Sequence, residues 1–288
     1  MSSGSNGMSA ARGTGRRRSR LRDLAGKLGA CAALTLVLAP AAPTRAEMPS
    51  AGSPAEFCLL TNKNLALGAS LPRTAARFRA GAPLKVVAIG SSSTTGLWMF
   101  DAAATYPQVM RRELERLRPN SRVEVVNSGR VGDTITGNLT RFGSDVFAYR
   151  PDLVIWQLGT NDVAWGGSAD GLEEKVISGL KALKASGADV ILMDLQYAPM
   201  VLASSDYAVM ESIIAEAARR EHVGLFSRFA LMRRSVEAGL PRGALVAWDG
   251  LHNSREGYDC VGRALARAIH AAAGGSTRKP VSGRGRRN

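Results

Sequence analysis

Residues 84–96 read Leu84-Lys85-Val86-Val87-Ala88-Ile89-Gly90-Ser91-Ser92-Ser93-Thr94-Thr95-Gly96. The apolar, β-branched run at the start of this stretch predicts a buried parallel strand. The glycine and the five hydroxyl side chains that follow predict a tight turn at the carboxyl end of that strand. Ligands bind at this edge of open α/β sheets, so the turn is a candidate site for a nucleophile. Taken alone, it is explained slightly better as a Ser/Thr-rich loop that caps the next helix.

Strands and helices alternate along the rest of the chain. We predict strands at 84–90, 123–127, 153–158, 190–195 and 223–226, and helices at about 106–117, 133–149, 172–186, 207–221 and 254–272, with one more helix ending near 239. This alternation predicts an α/β fold: a three-layer α/β/α domain around a doubly wound parallel sheet of about five strands.

The two ends of the chain differ from this central part. Residues 1–46 combine a basic block with an Ala/Leu-rich stretch and a Thr44-Arg45-Ala46 cleavage pattern, which predicts a secretory signal peptide and a periplasmic or secreted protein. The apolar stretch is short for a membrane span, so we expect none after cleavage. Residues 47–83 are predicted to be an extension packed on the domain at 84–275, and residues 276–288 a basic, disordered tail.

The net charge of +14 is concentrated at these ends. Residues 1–46 contribute +7 and residues 276–288 contribute +5, which leaves +2 for the part between them. A nucleic-acid-binding protein needs a basic face on its folded domain, so this distribution argues against a nucleic-acid partner.

Four polar segments fall at strand ends or loops on one side of the predicted sheet. They are Gly90-Ser91-Ser92-Ser93-Thr94, Asn127-Ser128-Gly129-Arg130-Val131-Gly132-Asp133-Thr134, Gly159-Thr160-Asn161-Asp162 and Asp249-Gly250-Leu251-His252. Together they supply what acyl transfer by a serine requires. Ser92 would be the nucleophile, His252 its base, and Asp249 the group that orients the imidazole. The backbone N–H groups of Ser92 and Gly132 and the side-chain amide of Asn161 would bind the oxyanion.

In order and spacing, these segments resemble the four blocks of the SGNH hydrolases, also called the GDSL esterase/lipase superfamily. The resemblance covers about residues 84–270 and implies a flavodoxin-like sheet, the triad Ser92, Asp249 and His252, and the oxyanion residues Gly132 and Asn161. One position departs from the pattern, because the usual Gly-Asp-Ser is Gly90-Ser91-Ser92. How the nucleophile turn is braced is therefore open.

Other candidate residues come from the same segments and from the cysteines. Arg130, Asp162 and Trp165 are candidate substrate contacts. Arg130 and Asp162 border the predicted pocket, although solvated loop charges are the default explanation for both, and Trp165 is a candidate lining residue of the acyl or sugar pocket. Cys58 and Cys260 are compatible both with a disulfide and with two buried thiols. No His/Cys cluster has metal-ligand spacing, so we expect neither a metal nor a cofactor.

The sequence thus predicts a secreted or periplasmic serine esterase acting on a small-molecule or glycan ester. Short acyl groups, such as O-acetyl groups on an envelope polysaccharide, are favoured because no long apolar lid is visible. Two alternatives stay open: an acyltransferase to an envelope glycan, and a glycan-binding domain without catalysis. The oligomeric state is not predicted.

Overall fold

A computed structural model describes residues 52–165 and 167–275. The predicted signal peptide and the predicted basic tail lie outside these described residues. No helix in the described part of the chain is long and apolar enough to cross a membrane.

The centre of the protein is a parallel sheet, which the described residues build from five strands in the order β2-β1-β3-β4-β5. The strands are β1 (Leu84–Gly90), β2 (Val123–Gly129), β3 (Leu153–Gln157), β4 (Asp189–Met193) and β5 (Gly224–Phe226). Every neighbouring pair is parallel. The predicted α/β fold with a five-stranded parallel sheet is confirmed, and the strand order is the flavodoxin-like one.

Twelve α-helices connect and cover these strands within the described ranges. They are α1 (Pro54–Thr61), α2 (Pro72–Ala80), α3 (Ser92–Thr95), α4 (Tyr106–Leu117), α5 (Ile135–Thr140), α6 (Phe142–Asp145), α7 (Thr160–Val163), α8 (Leu172–Ala185), α9 (Pro199–Leu202), α10 (Tyr207–Arg220), α11 (Arg228–Glu237) and α12 (Arg255–Ala272). Single 3-10 turns lie at Ala102–Ala104, Phe147–Tyr149 and Arg242–Ala244.

The order of the strands creates a crevice between β1 and β3. From β1 the chain moves to β2 on one side of the sheet, and from β3 it moves to β4 on the other side. Ligands bind where the winding direction of such a sheet reverses, outside the carboxyl ends of the strands. Ser92 follows β1 and Asn161 follows β3, so both residues lie at this crevice.

Helix α12 fixes the segment that precedes it. Its apolar residues recur at helical spacing, and Tyr258, Val261, Leu265 and Ile269 are completely buried against the core. The helix begins at a defined point because the Ser254 side chain accepts a hydrogen bond from the backbone N–H of Gly257. His252 therefore stands two residues ahead of a firmly anchored helix terminus.

The N-terminal extension is helical and packs on the domain. The backbone N–H of Ala55 in α1 donates to the Glu256 carboxylate of α12 at 3.2 Å. In α2, the guanidinium groups of Arg73 and Arg77 both contact Asp152, which precedes β3, at 2.9 Å. Helix α2 thus lies at the end of the sheet that is opposite the crevice, whereas α1 packs on α12.

The single helix predicted over residues 133–149 is wrong. The structure has α5, α6 and a 3-10 turn instead, and the backbone leaves helical geometry at Arg141 and again at Val146, with φ of −115° and −129°. Glycines within the segment weaken helix formation, and the Arg141 side chain turns inward to bind backbone carbonyls. Two predicted turns are also helical, since α3 and α7 each form one turn directly after β1 and β3.

Candidate active site

Ser92, His252 and Asp249 come together at the crevice. Ser92 is the first residue of α3, directly beyond the carboxyl end of β1. Its Oγ lies 2.7 Å from Nε2 of His252, and Nδ1 of the same ring lies 2.5 Å from Oδ2 of Asp249. The serine and the histidine are both buried, so their hydrogen bond is shielded from competing water.

The loop that carries Asp249 and His252 is closed at its base. Val246 and Asn253 form an antiparallel bridge, and the backbone N–H of Ala247 donates to the His252 carbonyl at 2.7 Å. The loop is therefore a short hairpin, which holds the carboxylate and the imidazole on one side.

Asp249 accepts hydrogen bonds at both carboxylate oxygens. Oδ1 accepts from the backbone N–H groups of Leu251 and His252, both at 3.0 Å, and Oδ2 accepts from the Trp98 indole N–H at 2.7 Å. Burial by itself would raise the pKa of Asp249, but these bonds and the His252 ring outweigh burial and lower the pKa to about 2.

The ionisation of Asp249 decides the histidine tautomer. A carboxylate only accepts hydrogen bonds, so Nδ1 of His252 must carry a hydrogen. In the neutral ring, Nε2 is then the free acceptor, and the Ser92 hydroxyl donates to it. This arrangement can remove the hydroxyl proton as the oxygen attacks an electrophile.

The predicted oxyanion donors lie on the loops after β1, β2 and β3. The Ser92 N–H is in the first turn of α3, where backbone N–H groups lack helical acceptors. Gly132 has φ of +76°, a left-handed conformation that explains glycine at this turn. In α7, Asn161 Nδ2 donates to the Asp133 carbonyl at 2.8 Å, which uses one of its two amide hydrogens and ties the glycine turn to the asparagine.

Gln157 braces the nucleophile turn, and the sequence analysis missed it. Its Oε1 accepts from the Ser91 N–H at 2.8 Å, from the Ser91 hydroxyl at 3.0 Å and from the Thr94 hydroxyl at 3.1 Å. The turn that lacks the usual aspartate is thus held by the last residue of β3. A glutamine at the end of an otherwise apolar buried strand was the available signal.

Arg141 is a second structural residue that the sequence analysis missed. It is buried, and its guanidinium donates to the Gly90 carbonyl at 3.0 Å, to the Ser128 carbonyl at 2.7 Å and to the Asp133 carboxylate at 2.6 Å. One side chain therefore joins the carboxyl ends of β1 and β2 to the glycine turn. No local sequence pattern distinguishes this arginine from the exposed ones.

The three candidate substrate contacts occupy different environments. Arg130 is exposed, and its guanidinium lies 3.7 Å from the Asp145 carboxylate. Both carboxylate oxygens of Asp162 lie 3.2 Å from the Ile135 N–H, so this residue holds the start of α5, and burial raises its pKa. Trp165 is 64% exposed beyond α7.

A comparison with known protein families identifies the family of this chain. A family model described as non-GDSL lipase-like matches residues 57–275. The chain belongs to this family. The family description agrees with the nucleophile turn, in which Ser91 stands where the GDSL pattern has aspartate. The resemblance to SGNH hydrolases is confirmed.

Individual relatives of this family member are distant. An arylesterase from Vibrio mimicus is 28% identical over 115 residues, which are 40% of this chain and 56% of that protein. A two-domain esterase active on acetylated mannans superposes with a TM-score of 0.62 at 18% identity, covering 74% of this chain and 56% of that one. An acetyl xylan esterase from Geobacillus stearothermophilus superposes with a TM-score of 0.55 at 23% identity, and the match covers 68% of this chain and 97% of that one. The chain thus spans little more than half of the arylesterase and of the mannan-active esterase.

The family match begins inside helix α1, which a disulfide joins to α12. Cys58 and Cys260 are both completely buried, and their Cα atoms are 6.1 Å apart. The bridge links positions 202 residues apart in the chain, near the two ends of the matched region. Within the described ranges, no group of three or more His, Cys, Asp or Glu side chains could hold a metal ion.

Proposed function

We propose that this protein is an exported serine esterase that hydrolyses short-acyl esters through an acyl-enzyme on Ser92. The observation that carries the proposal is the continuous pair of hydrogen bonds from Ser92 through His252 to an ionised Asp249. A structural histidine needs neither a serine hydroxyl at 2.7 Å nor a carboxylate held by three further donors.

In the proposed reaction, Ser92 Oγ attacks the ester carbonyl while its proton moves to Nε2 of His252. The carbonyl oxygen becomes an oxyanion, which the N–H groups of Ser92 and Gly132 and the amide of Asn161 stabilise. The imidazolium formed beside Asp249 then gives its proton to the departing alkoxide, so the alcohol leaves and an acyl-enzyme remains. Water attacks that ester by the same route and releases the acid.

The substrate is proposed from the relatives and the N-terminal sequence. One relative is named as an arylesterase, and two structural neighbours are named for acetylated mannan and acetyl xylan. The predicted signal peptide would bring the mature protein to the compartment where acetylated polysaccharides occur. We therefore propose an O-acetyl ester of a glycan as the substrate class.

The test compares the mature protein with two single-hydroxyl variants on p-nitrophenyl acetate, butyrate and octanoate. Wild type should hydrolyse the acetate fastest, and Ser92→Ala should abolish turnover with an unchanged circular dichroism spectrum. Ser93→Ala is the matched control, since it removes the neighbouring hydroxyl and should keep activity. Turnover retained in Ser92→Ala would contradict the assignment of the nucleophile.

A folded wild-type protein without activity on any of the three esters would contradict the esterase proposal. Product formed only when a glycan acceptor is added would then indicate acyl transfer. Oligosaccharide binding without cleavage would indicate a binding domain.

A further inference from the structure

Two exposed tryptophans adjoin the triad. Trp98 and Trp248 have ring centroids 5.1 Å apart at an interplanar angle of 51°, and 37% and 82% of their surfaces are exposed. Trp248 immediately precedes Asp249, and the Trp98 indole N–H donates to the Asp249 carboxylate. The pair is therefore attached to the triad both through the chain and through a hydrogen bond.

Core packing does not account for this pair. Trp98 has φ of +71°, a left-handed conformation that bulky residues rarely adopt. Such strained positions persist where the surroundings enforce them, and they cluster at active sites. Trp248 leaves most of a large apolar surface in water, and its indole adds nothing to the buried core. Both features are explained if the pair binds a ligand.

The proposed reaction indicates which part of an ester would reach these rings. The departing alcohol receives its proton from Nε2 of His252, so it must lie on the histidine side of the reacting carbonyl. The oxyanion donors Gly132 and Asn161 belong to other loops, after β2 and β3. Trp248 belongs to the same hairpin as His252. The alcohol part of the substrate therefore leaves past the tryptophans.

We propose that Trp98 and Trp248 form a stacking platform for a ring in the alcohol part of the ester. This inference rests on the proposed esterase function. Indole faces bind flat, largely apolar ring faces, and both an aryl ring and the C–H face of a pyranose offer one. The hydrogen bond from Trp98 to Asp249 connects this platform to the groups that carry out the reaction.

The first test compares esters with and without a ring in the alcohol part. In Trp248→Ala, KM for phenyl acetate and for an acetylated xylo-oligosaccharide should rise about 3–10-fold, the size expected for loss of one aromatic contact, with kcat nearly unchanged. KM for ethyl acetate should stay within twofold. Trp248→Phe should restore most of the affinity, because it restores a ring.

Tyr149→Ala serves as the matched control. Tyr149 is also an exposed aromatic residue, but it lies just before β3, at the end of the sheet opposite the crevice. This variant should leave KM for all three esters unchanged. In Trp248→Ala, a rise in KM for phenyl acetate alone would identify an aryl group as the alcohol part. A rise in KM for the sugar ester alone would identify a glycan. Equal rises for all three esters in Trp248→Ala, or no rise, would overturn the platform.

A binding experiment separates failure of the platform from failure of the esterase proposal. Ligand-observed NMR with phenol and with xylotetraose, recorded on the full-length mature Ser92→Ala protein, needs no turnover. If either ligand binds saturably to the Ser92→Ala protein and this binding is lost in the Ser92→Ala/Trp248→Ala double variant, the platform is supported even if wild type hydrolyses nothing. Absence of binding to both ligands overturns it even if wild type is an active esterase.

Discussion

Gln157 Oε1 lies 2.8 Å from the Ser91 backbone nitrogen and holds the nucleophile turn from the neighbouring strand. The same oxygen accepts from two hydroxyls of that turn, so one acceptor satisfies three buried donors. The turn is thus braced across the β1–β3 crevice, without the aspartate that the GDSL pattern places beside the serine.

Replacing Gln157 with leucine should therefore loosen the turn. The buried Ser91 N–H would lose its acceptor, which costs about 1–3 kcal/mol in unfolding free energy. Small misplacement of a reacting group costs about 10–100-fold in rate, so kcat should fall by that order. Urea denaturation and p-nitrophenyl acetate hydrolysis measure the two effects. Gln157→Glu keeps an accepting oxygen, so its unfolding free energy and its kcat should fall less than those of Gln157→Leu. Equal losses of stability and of kcat in the two variants would argue against the bracing role.

Asn161→Ala should lower kcat by about 10²–10³ while KM changes little, because an oxyanion donor acts mainly in the transition state. The bond from Asn161 to the Asp133 carbonyl would also be lost, so thermal unfolding has to be recorded beside the kinetics. A kcat within threefold of wild type would remove Asn161 from the proposed oxyanion hole.

Trp98→Phe keeps a ring but removes the indole N–H that Asp249 accepts. The pKa of Asp249 should then rise from about 2 toward its ordinary value of 3.8. A lowered carboxyl pKa stabilises the folded state above the unfolded pKa, and this stabilisation disappears as the pH falls through the folded pKa. The variant should accordingly gain less stability than wild type between pH 2 and 4. Parallel melting temperatures of the two proteins across that range would contradict this role for the indole.

The same variant should show a lower kcat at neutral pH. A hydrogen bond to a charged group contributes about 1.5–3 kcal/mol, so loss of one that orients Asp249 should reduce kcat about tenfold or more. KM for ethyl acetate, which has no ring, should remain close to that of wild type. This split between kcat and KM distinguishes positioning of the proposed triad from substrate stacking.

The half-buried Glu211 and the buried Asp194 form a carboxyl pair beside Arg228. Burial, and then the charge of Asp194, raises the pKa of Glu211, so Glu211 keeps its proton at neutral pH. An unfolded glutamate releases that proton above about pH 4.5, so this group makes the protein less stable as the pH rises from there. Glu211→Gln should flatten the decline of melting temperature between about pH 4.5 and 9, because the folded pKa of Glu211 is about 9. Glu216→Gln, on the exposed side of α10, is the control, and its melting temperature should change with pH as that of wild type does.

The fold could be predicted because its signals are local. The β1 and β3 sequences are mostly apolar, and apart from Lys85 their residues are buried on both faces, as parallel strands require. Ser92 and Asn161 were found because each follows a recognisable strand, and His252 because it precedes a recognisable helix. The helical extension had signals as well, since Ser53 caps α1 and a proline opens both α1 and α2.

What could not be predicted depends on residues far apart in the chain. The Trp98 indole meets Asp249 across 151 positions, and the Arg141 guanidinium meets the Gly90 carbonyl across 51. The break in the helix predicted over 133–149 has the same origin. Arg141 leaves helical geometry to satisfy carbonyls of β1 and β2, and local propensity contains no information about those partners.

The disulfide between Cys58 and Cys260 makes completion of the fold depend on the compartment in which the protein folds. Because Cys260 lies in α12, 202 residues after Cys58, the bridge closes only after all five strands have been synthesised, and it closes only under oxidising conditions. Production in a reducing cytosol would therefore give a protein in which α1 is held to α12 only by packing and by the hydrogen bond from Ala55 to Glu256. A host that folds the protein in an oxidising compartment would deliver it with α1 and α12 already joined.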